Sequence, residues 1–193
     1  HPDEPSEPLL PLMVASAPIL VSHDDNIATI TLNRPGKLNA LNRIAWQELA
    51  QVFAKLNALD SARCIIVRGA GGKAFSAGAD ISEFASERSN VEQATVYGNI
   101  VEGAINTIVE GPHPTIALIE RVCVGGGLEI ACACDIRICG ESSQFGVPVN
   151  RLGLTMAYPE LRALLSVVAP PVAKEILFSG ELFGAHRAAE VGL

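Results

Sequence analysis

The spacing of apolar residues changes period repeatedly along this chain. Ile19 to Val21 and Ile27 to Leu32 are short runs rich in β-branched residues on either side of His23-Asp24-Asp25-Asn26, a cluster of turn formers, and together they predict a hairpin. Trp46, Leu49, Ala50, Phe53 and Leu56 then recur at the three-to-four spacing of one helix face. Cys64 to Arg68 reads as a buried strand that ends at Gly69-Ala-Gly-Gly72. Helical spacing returns from Val91 to Glu110, with Val101, Ala104, Ile105 and Ile108 inward and Gly111-Pro112 as the stop. Thr115 to Ile119 predicts a strand, Leu128 to Cys134 a short buried helix, and Ile136 to Cys139 a further strand. Strands that alternate with helices in this way predict an α/β fold with a mainly parallel sheet.

The ends of the chain differ from this body. His1 to Leu12 holds four prolines and three acids and suits neither a helix nor a sheet interior, so residues 1–17 are expected to be a tail or leader and 18–193 one domain. Gly192, just before the last residue, has the character of a helix stop.

Composition narrows the function classes. The 193 residues are 49% hydrophobic and 18% charged, enough for a substantial core. The net charge of −7, with no cluster of Lys or Arg, argues against a nucleic-acid surface. No run approaches the ~18–20 apolar residues that a membrane span needs. The five cysteines, Cys64, Cys123, Cys132, Cys134 and Cys139, contain no C-x-x-C pair and are expected to be reduced and buried. Cys123, beside a glycine turn, is read as a small buried hydrophobe rather than a reactive thiol. His1, His23, His113 and His186 show no metal-ligand spacing, and nothing places one of them beside Ser76 or Ser82. Gly69-Ala-Gly-Gly-Lys73 lacks the pattern of a phosphate loop.

The candidate chemistry lies in two glycine turns about fifty positions apart, Phe75-Ser-Ala-Gly-Ala-Asp80 and Val124-Gly-Gly-Gly-Leu-Glu129. Glycines that open a helix leave N–H groups without acceptors at the positive end of the helix dipole, where negative charge collects. A residue without Cβ also lets a ligand oxygen approach the backbone. Glu129 stands three residues after Gly126, so a helix would hang its carboxylate beside such a trap. Alone, the stretch is equally a strand-to-helix turn with a solvated Glu. Asp80 and Asp135 suit caps and turns better than chemistry.

Asn33-Arg-Pro-Gly-Lys-Leu-Asn-Ala-Leu-Asn42, Phe75 to Asp80, Gly125 to Asp135 and Gln144-Phe145-Gly146 follow one another in the order of the crotonase (enoyl-CoA hydratase/isomerase) superfamily, which the chain resembles from Pro18 to Leu193. The resemblance implies a right-handed spiral of strand-strand-helix turns with C-terminal helices, of which the last are expected to be missing here. It also implies an acyl-CoA thioester as substrate, with no separate cofactor and no metal, in a cytoplasmic homotrimer or pair of trimers. By motif position the backbone N–H groups of Ala79 and Gly126 form the oxyanion hole and Glu129 is the acid/base. Ala77, Ala79, Asp80 and Ile81 line the CoA path with Gly126 and Val149, and Lys37 lies near the phosphates.

The chain departs from the family after Gln144-Phe-Gly-Val-Pro148. Hydratases carry a second glutamate next, and here Val149 stands in its place. Asn150, Tyr158 and Glu160 are polar residues nearby in sequence, any of which could substitute or merely satisfy the loop. Hydration with Glu129 alone, isomerisation, decarboxylation of a malonyl-type thioester and binding without turnover all remain open at this point.

Overall fold

The computed structural model describes residues 17–156 and 158–193. The expected tail falls outside the described residues apart from Ala17. The predicted hairpin forms from β1 (Ile19–Asp24) and β2 (Ile27–Leu32), paired antiparallel around Asp25, whose φ of 49° closes a two-residue turn. Helix α1 (Arg43–Asn57) starts where the Asn42 side chain accepts the N–H of Ala45, and it buries Trp46, Leu49, Phe53 and Leu56.

From there three turns of the chain share one plan. A longer strand enters a first sheet, a three-residue strand enters a second sheet, and helix follows. The first turn is β3 (Cys64–Gly69), β4 (Ala74–Ser76), α2 (Phe84–Glu87) and α3 (Val91–Val109). The second is β5 (Thr115–Ile119), β6 (Val122–Val124) and α4 (Gly126–Ala133). The third is β7 (Ile136–Cys139), β8 (Gln144–Gly146) and α5 (Tyr158–Val167). Helix α6 (Pro170–Ser179), the short strand β9 (Phe183–Gly184) and α7 (Ala185–Glu190) end the chain.

The first sheet runs β1-β2-β3-β5-β7, parallel from β2 onward, and the second β4-β6-β8-β9, parallel through β8. Each turn of the spiral therefore adds one strand to both sheets. The step between sheets is short, and its geometry is demanding. Arg121 takes a left-handed φ of 60° between β5 and β6, and a Cβ on Gly69 would stand 2.1 Å from the Ala74 carbonyl oxygen as the chain reverses from β3 into β4. Gly69 therefore serves close packing, whereas Gly72 has open space and serves its left-handed φ of 64°. Ile30, Ile65, Val67 and Ala117 of the first sheet pack with Phe53, Ile105 and Phe145 in one apolar core. Asp135 joins two turns, its carboxylate accepting both the N–H and the hydroxyl of Thr115 at the start of β5.

Two expectations are corrected. Helix α4 runs Gly126–Ala133 rather than Leu128 to Cys134, with the glycines opening it as the candidate chemistry expects. The cysteines are all free, but Cys139 is exposed and Cys64 only half-buried. Strand β7 is the edge of the first sheet, and it leaves Ile136 and Ile138 exposed as well.

Candidate active site

Strands β4, β6 and β8 are parallel neighbours, so the chain leaves all three at one end of the second sheet. What leaves them is Ala77 to Asp80, then Gly125-Gly126, then Val147-Pro148-Val149. The carboxyl ends of parallel strands are where α/β folds gather ligand groups.

The loop after β4 is fixed from beneath. Ser76 Oγ donates to the Asn39 carbonyl at 2.8 Å and accepts the Gly78 N–H at 3.1 Å. The N–H of Leu41 donates to the Gly78 carbonyl, and the N–H of Asp80 to the Leu41 carbonyl. Neighbouring peptide groups alternate in direction along an extended strand, so the Ala79 N–H between these two bonds faces away from Leu41. On the other side Gly126 opens α4, where its N–H has no partner within the helix. Neither N–H meets an acceptor among the described residues.

The two loops touch, which explains the glycines. Gly78 has φ of 87°, and a Cβ there would lie 2.9 Å from the Val124 carbonyl oxygen and 3.1 Å from the Gly126 nitrogen. A Cβ on Gly126 would press on the Trp46 ring edge at 2.8 Å and stand 3.6 Å from the Ala79 nitrogen. Two orphan donors therefore sit side by side, one of them on a helix N-terminus. That arrangement suits a developing oxyanion.

Glu129 follows on the first turn of α4, in which all eight residues are buried. It is 8% exposed, and its Oε2 has no hydrogen-bond partner. Burial first, and the negative charge of Glu160 second, push its carboxyl up to about 8, against a smaller opposing pull from Arg88. A cavity beside it is lined by Ala77, Ala79, Ile81, Gly126, Glu129 and Val149, so six of the positions named from sequence meet in one place.

Asp80 and Lys37 do not line this cavity. Asp80 caps the 3-10 turn Ile81–Glu83 and pairs with Arg34 at 2.9 Å. The Ser82 hydroxyl, above all, and Arg34 hold its carboxyl below the usual range against the cost of burial. Its part is to brace the loop, as its turn character suggests. Lys37 ends the exposed 3-10 turn Pro35–Lys37.

Sequence reasoning gave no role to Asn39, Trp46 or Arg88. Asn39 is 1% exposed and donates to the carbonyls of Ala70 and Ala74 at 3.0 and 2.8 Å, which ties the Asn33 to Asn42 segment under the loop. Its left-handed φ of 56°, a conformation Asn tolerates, is the signal available in sequence. Arg88 lines the cavity with its guanidinium over the rings of Tyr97, at 4.1 Å, and Phe84, at 4.6 Å. Of the three polar residues singled out after Val149, Glu160 lines the cavity, whereas Asn150 donates to the Phe178 carbonyl and Tyr158 is 72% exposed.

Other chemistries find less support. Burial pushes the Cys132 and Cys134 thiols up to about 12 and Cys123 well above its ordinary value, so none supplies a thiolate near neutral pH. Among the described residues no group of three or more His, Cys, Asp or Glu is placed to hold a metal ion, and no helix is long and apolar enough to cross a membrane.

Comparison with known proteins bears on the same residues. A family model described as Enoyl-CoA hydratase/isomerase matches residues 22–193. The short-chain-enoyl-CoA hydratase of Clostridium acetobutylicum is 33% identical over 175 residues, which are 91% of this chain and 66% of that protein. A mitochondrial Delta(3,5)-Delta(2,4)-dienoyl-CoA isomerase of Mus musculus is 32% identical over 90% of this chain and 56% of its own length. Among solved structures, an enoyl-CoA hydratase/carnithine racemase from Magnetospirillum magneticum superposes with a TM-score of 0.89 at 46% identity, covering 91% of this chain and 66% of that one. The chain thus spans 66% or less of the length of these proteins.

Proposed function

This chain belongs to the enoyl-CoA hydratase/isomerase family, and on that premise we propose that it is an acyl-CoA thioester enzyme that works through an enolate, as an enoyl-CoA hydratase or isomerase. The observation that carries the reading is the placement of two unpartnered N–H groups, of Ala79 and Gly126, beside the buried carboxyl of Glu129. Adding or removing a proton at the carbon next to a thioester carbonyl moves charge onto the carbonyl oxygen. Preorganised donors in a dry site stabilise that charge. Glu129 then carries the proton to or from the α carbon. The apolar wall at Val149 favours one second reading, decarboxylation of a methylmalonyl-type thioester, which needs the hole but no second carboxylate at that position.

The same proposal takes the substrate's CoA as bound along Ala77 and Ile81, with no separate cofactor. It takes the working form as a cytoplasmic homotrimer or pair of trimers. Exposed Ile136, Ile138 and Phe178 are surface of the kind that self-association covers.

Crotonyl-, 3-enoyl- and methylmalonyl-CoA, each incubated with the protein and analysed for products, test the reading. Hydration or double-bond migration supports it, CO₂ release selects the decarboxylase, and tight binding without product shows a silent acyl-CoA binder. Absence of both binding and turnover contradicts all of these.

The raised carboxyl of Glu129 gives a pH signature. Below about 8 the group holds its proton, so hydration, in which it protonates the α carbon, should run well at neutral pH and decline above pH 8. Removal of an α proton needs the ionised form and should rise through the same range. A pH–rate profile without a limb between pH 7 and 9 excludes Glu129 as the titrating group.

A further inference from the structure

Position 149 carries no carboxylate, yet the cavity has two. Glu160, in the first turn of α5, lines it together with Glu129, Arg88 and Val149. Helix α5 packs on α4, so the two glutamates reach the same space from two packed helices. We propose that Glu160 is the second proton-transfer residue of this site, supplying from α5 the carboxylate that Val149 does not provide. The inference rests on the acyl-CoA reading above and sharpens it, because a second acid/base lets water activation and protonation of the α carbon be divided between two groups.

The step balances with the groups present. Ionised Glu160 takes a proton from water as the water oxygen bonds to the β carbon. The π electrons of the double bond move onto the thioester oxygen, held by the Ala79 and Gly126 N–H groups. When the enolate collapses, the α carbon takes the proton of Glu129. Transfer of a proton from Glu160 to Glu129, directly or through solvent, restores the starting state. The charged groups that share a cavity with one or both of this pair are Arg88, which follows α2 and stacks on the Tyr97 ring, and Glu102 on α3, which lines a second cavity together with Glu160. Glu160 acts on Glu129 through space, its negative charge helping to keep the Glu129 proton in place.

The test is Glu160→Gln, with three readouts: butyryl-CoA affinity by calorimetry, crotonyl-CoA hydration, and exchange of the butyryl-CoA α proton in deuterated water. Affinity should stay within ~3-fold, hydration should fall ~10²–10⁴-fold, and exchange, which uses Glu129 alone, should stay within ~10-fold of the parent. Loss of the Glu160 charge should also move the exchange limb assigned to Glu129 to lower pH, which reports that the two carboxylates sense each other, while the split between hydration and exchange reports the proton-transfer role. Unchanged hydration overturns the proposal. So does an equal loss of hydration and exchange with binding intact, which would make Glu160 a positioning residue for Glu129. If the Gln variant is poorly folded, Glu160→Asp carries the same comparison, since it keeps the charge and withdraws it by one methylene. A parent protein that binds no acyl-CoA contradicts the functional reading itself, whereas a hydratase indifferent to Glu160→Gln contradicts this inference alone.

Discussion

Glu129→Gln should leave acyl-CoA binding within a few-fold of the parent and lower turnover about 10²–10⁴-fold. Gln matches Glu in size and in hydrogen-bonding shape, but it neither yields a proton to carbon nor accepts one at neutral pH. The same change should stabilise the fold. The carboxyl is buried with one oxygen unpartnered, and its pKa rises from 4.5 to about 8 on folding. A group raised in this way favours the folded state fully below its unfolded value, and the advantage is lost as pH climbs through the folded value. Each unit is worth about 1.4 kcal/mol, so the parent gives up at most several kcal/mol between pH 4.5 and 8 that the Gln variant keeps. Melting curves at pH 5, 7 and 8.5 should show the variant's lead widening with pH. Unchanged turnover together with a pH-independent gap would remove Glu129 from both the chemistry and the energetics.

Deleting the N–H of Gly126 should cost about 10²–10³-fold in turnover with little effect on thioester binding. A side-chain substitution is a poor way to do this. Any Cβ at 126 meets Trp46 at 2.8 Å, so Gly126→Pro combines the loss of the donor with a collision. Replacing the amide with an ester exchanges the N–H for an oxygen without adding a Cβ; the N–H of Gly126 has no protein acceptor to lose, and the only protein bond affected is the weakened one from the Glu129 N–H to the Gly125 carbonyl. The matching exchange at Ala79 should give a similar loss, since its N–H also meets no acceptor among the described residues. A fully active ester at either position would show that the oxyanion rests elsewhere.

The elements legible in the sequence were those long enough to show a period. The α1 face from Trp46 to Leu56, the α3 face from Val101 to Ile108 and the strands of the first sheet lie where the spacing of apolar residues puts them. Strands β4, β6 and β8 have three residues each, too few for any periodicity, so the second sheet stayed hidden. That sheet carries all three site loops, and their meeting was expected only through the family resemblance. Asp80 shows the limit of carrying a motif over by position. Its backbone belongs to the site loop, but its side chain is spent on Arg34 and Ser82, because a loop held this tightly needs its own internal ties. Glu160 shows the reverse case. Eleven positions separate it from Val149, and only the packing of α5 on α4 brings it to the cavity.

Enolate formation at a site built from Ala79, Gly126 and Glu129 is most directly tested by following the α protons of butyryl-CoA in deuterated water at pH 8.5, where Glu129 is largely ionised. A saturated thioester is neither hydrated nor isomerised, so exchange reports the enolate itself. The expected result is catalysed incorporation of deuterium that falls at least ~10²-fold in Glu129→Gln and in the ester exchange at either donor. Saturating butyryl-CoA with no exchange above the uncatalysed rate, or exchange that survives loss of both donors, would contradict it.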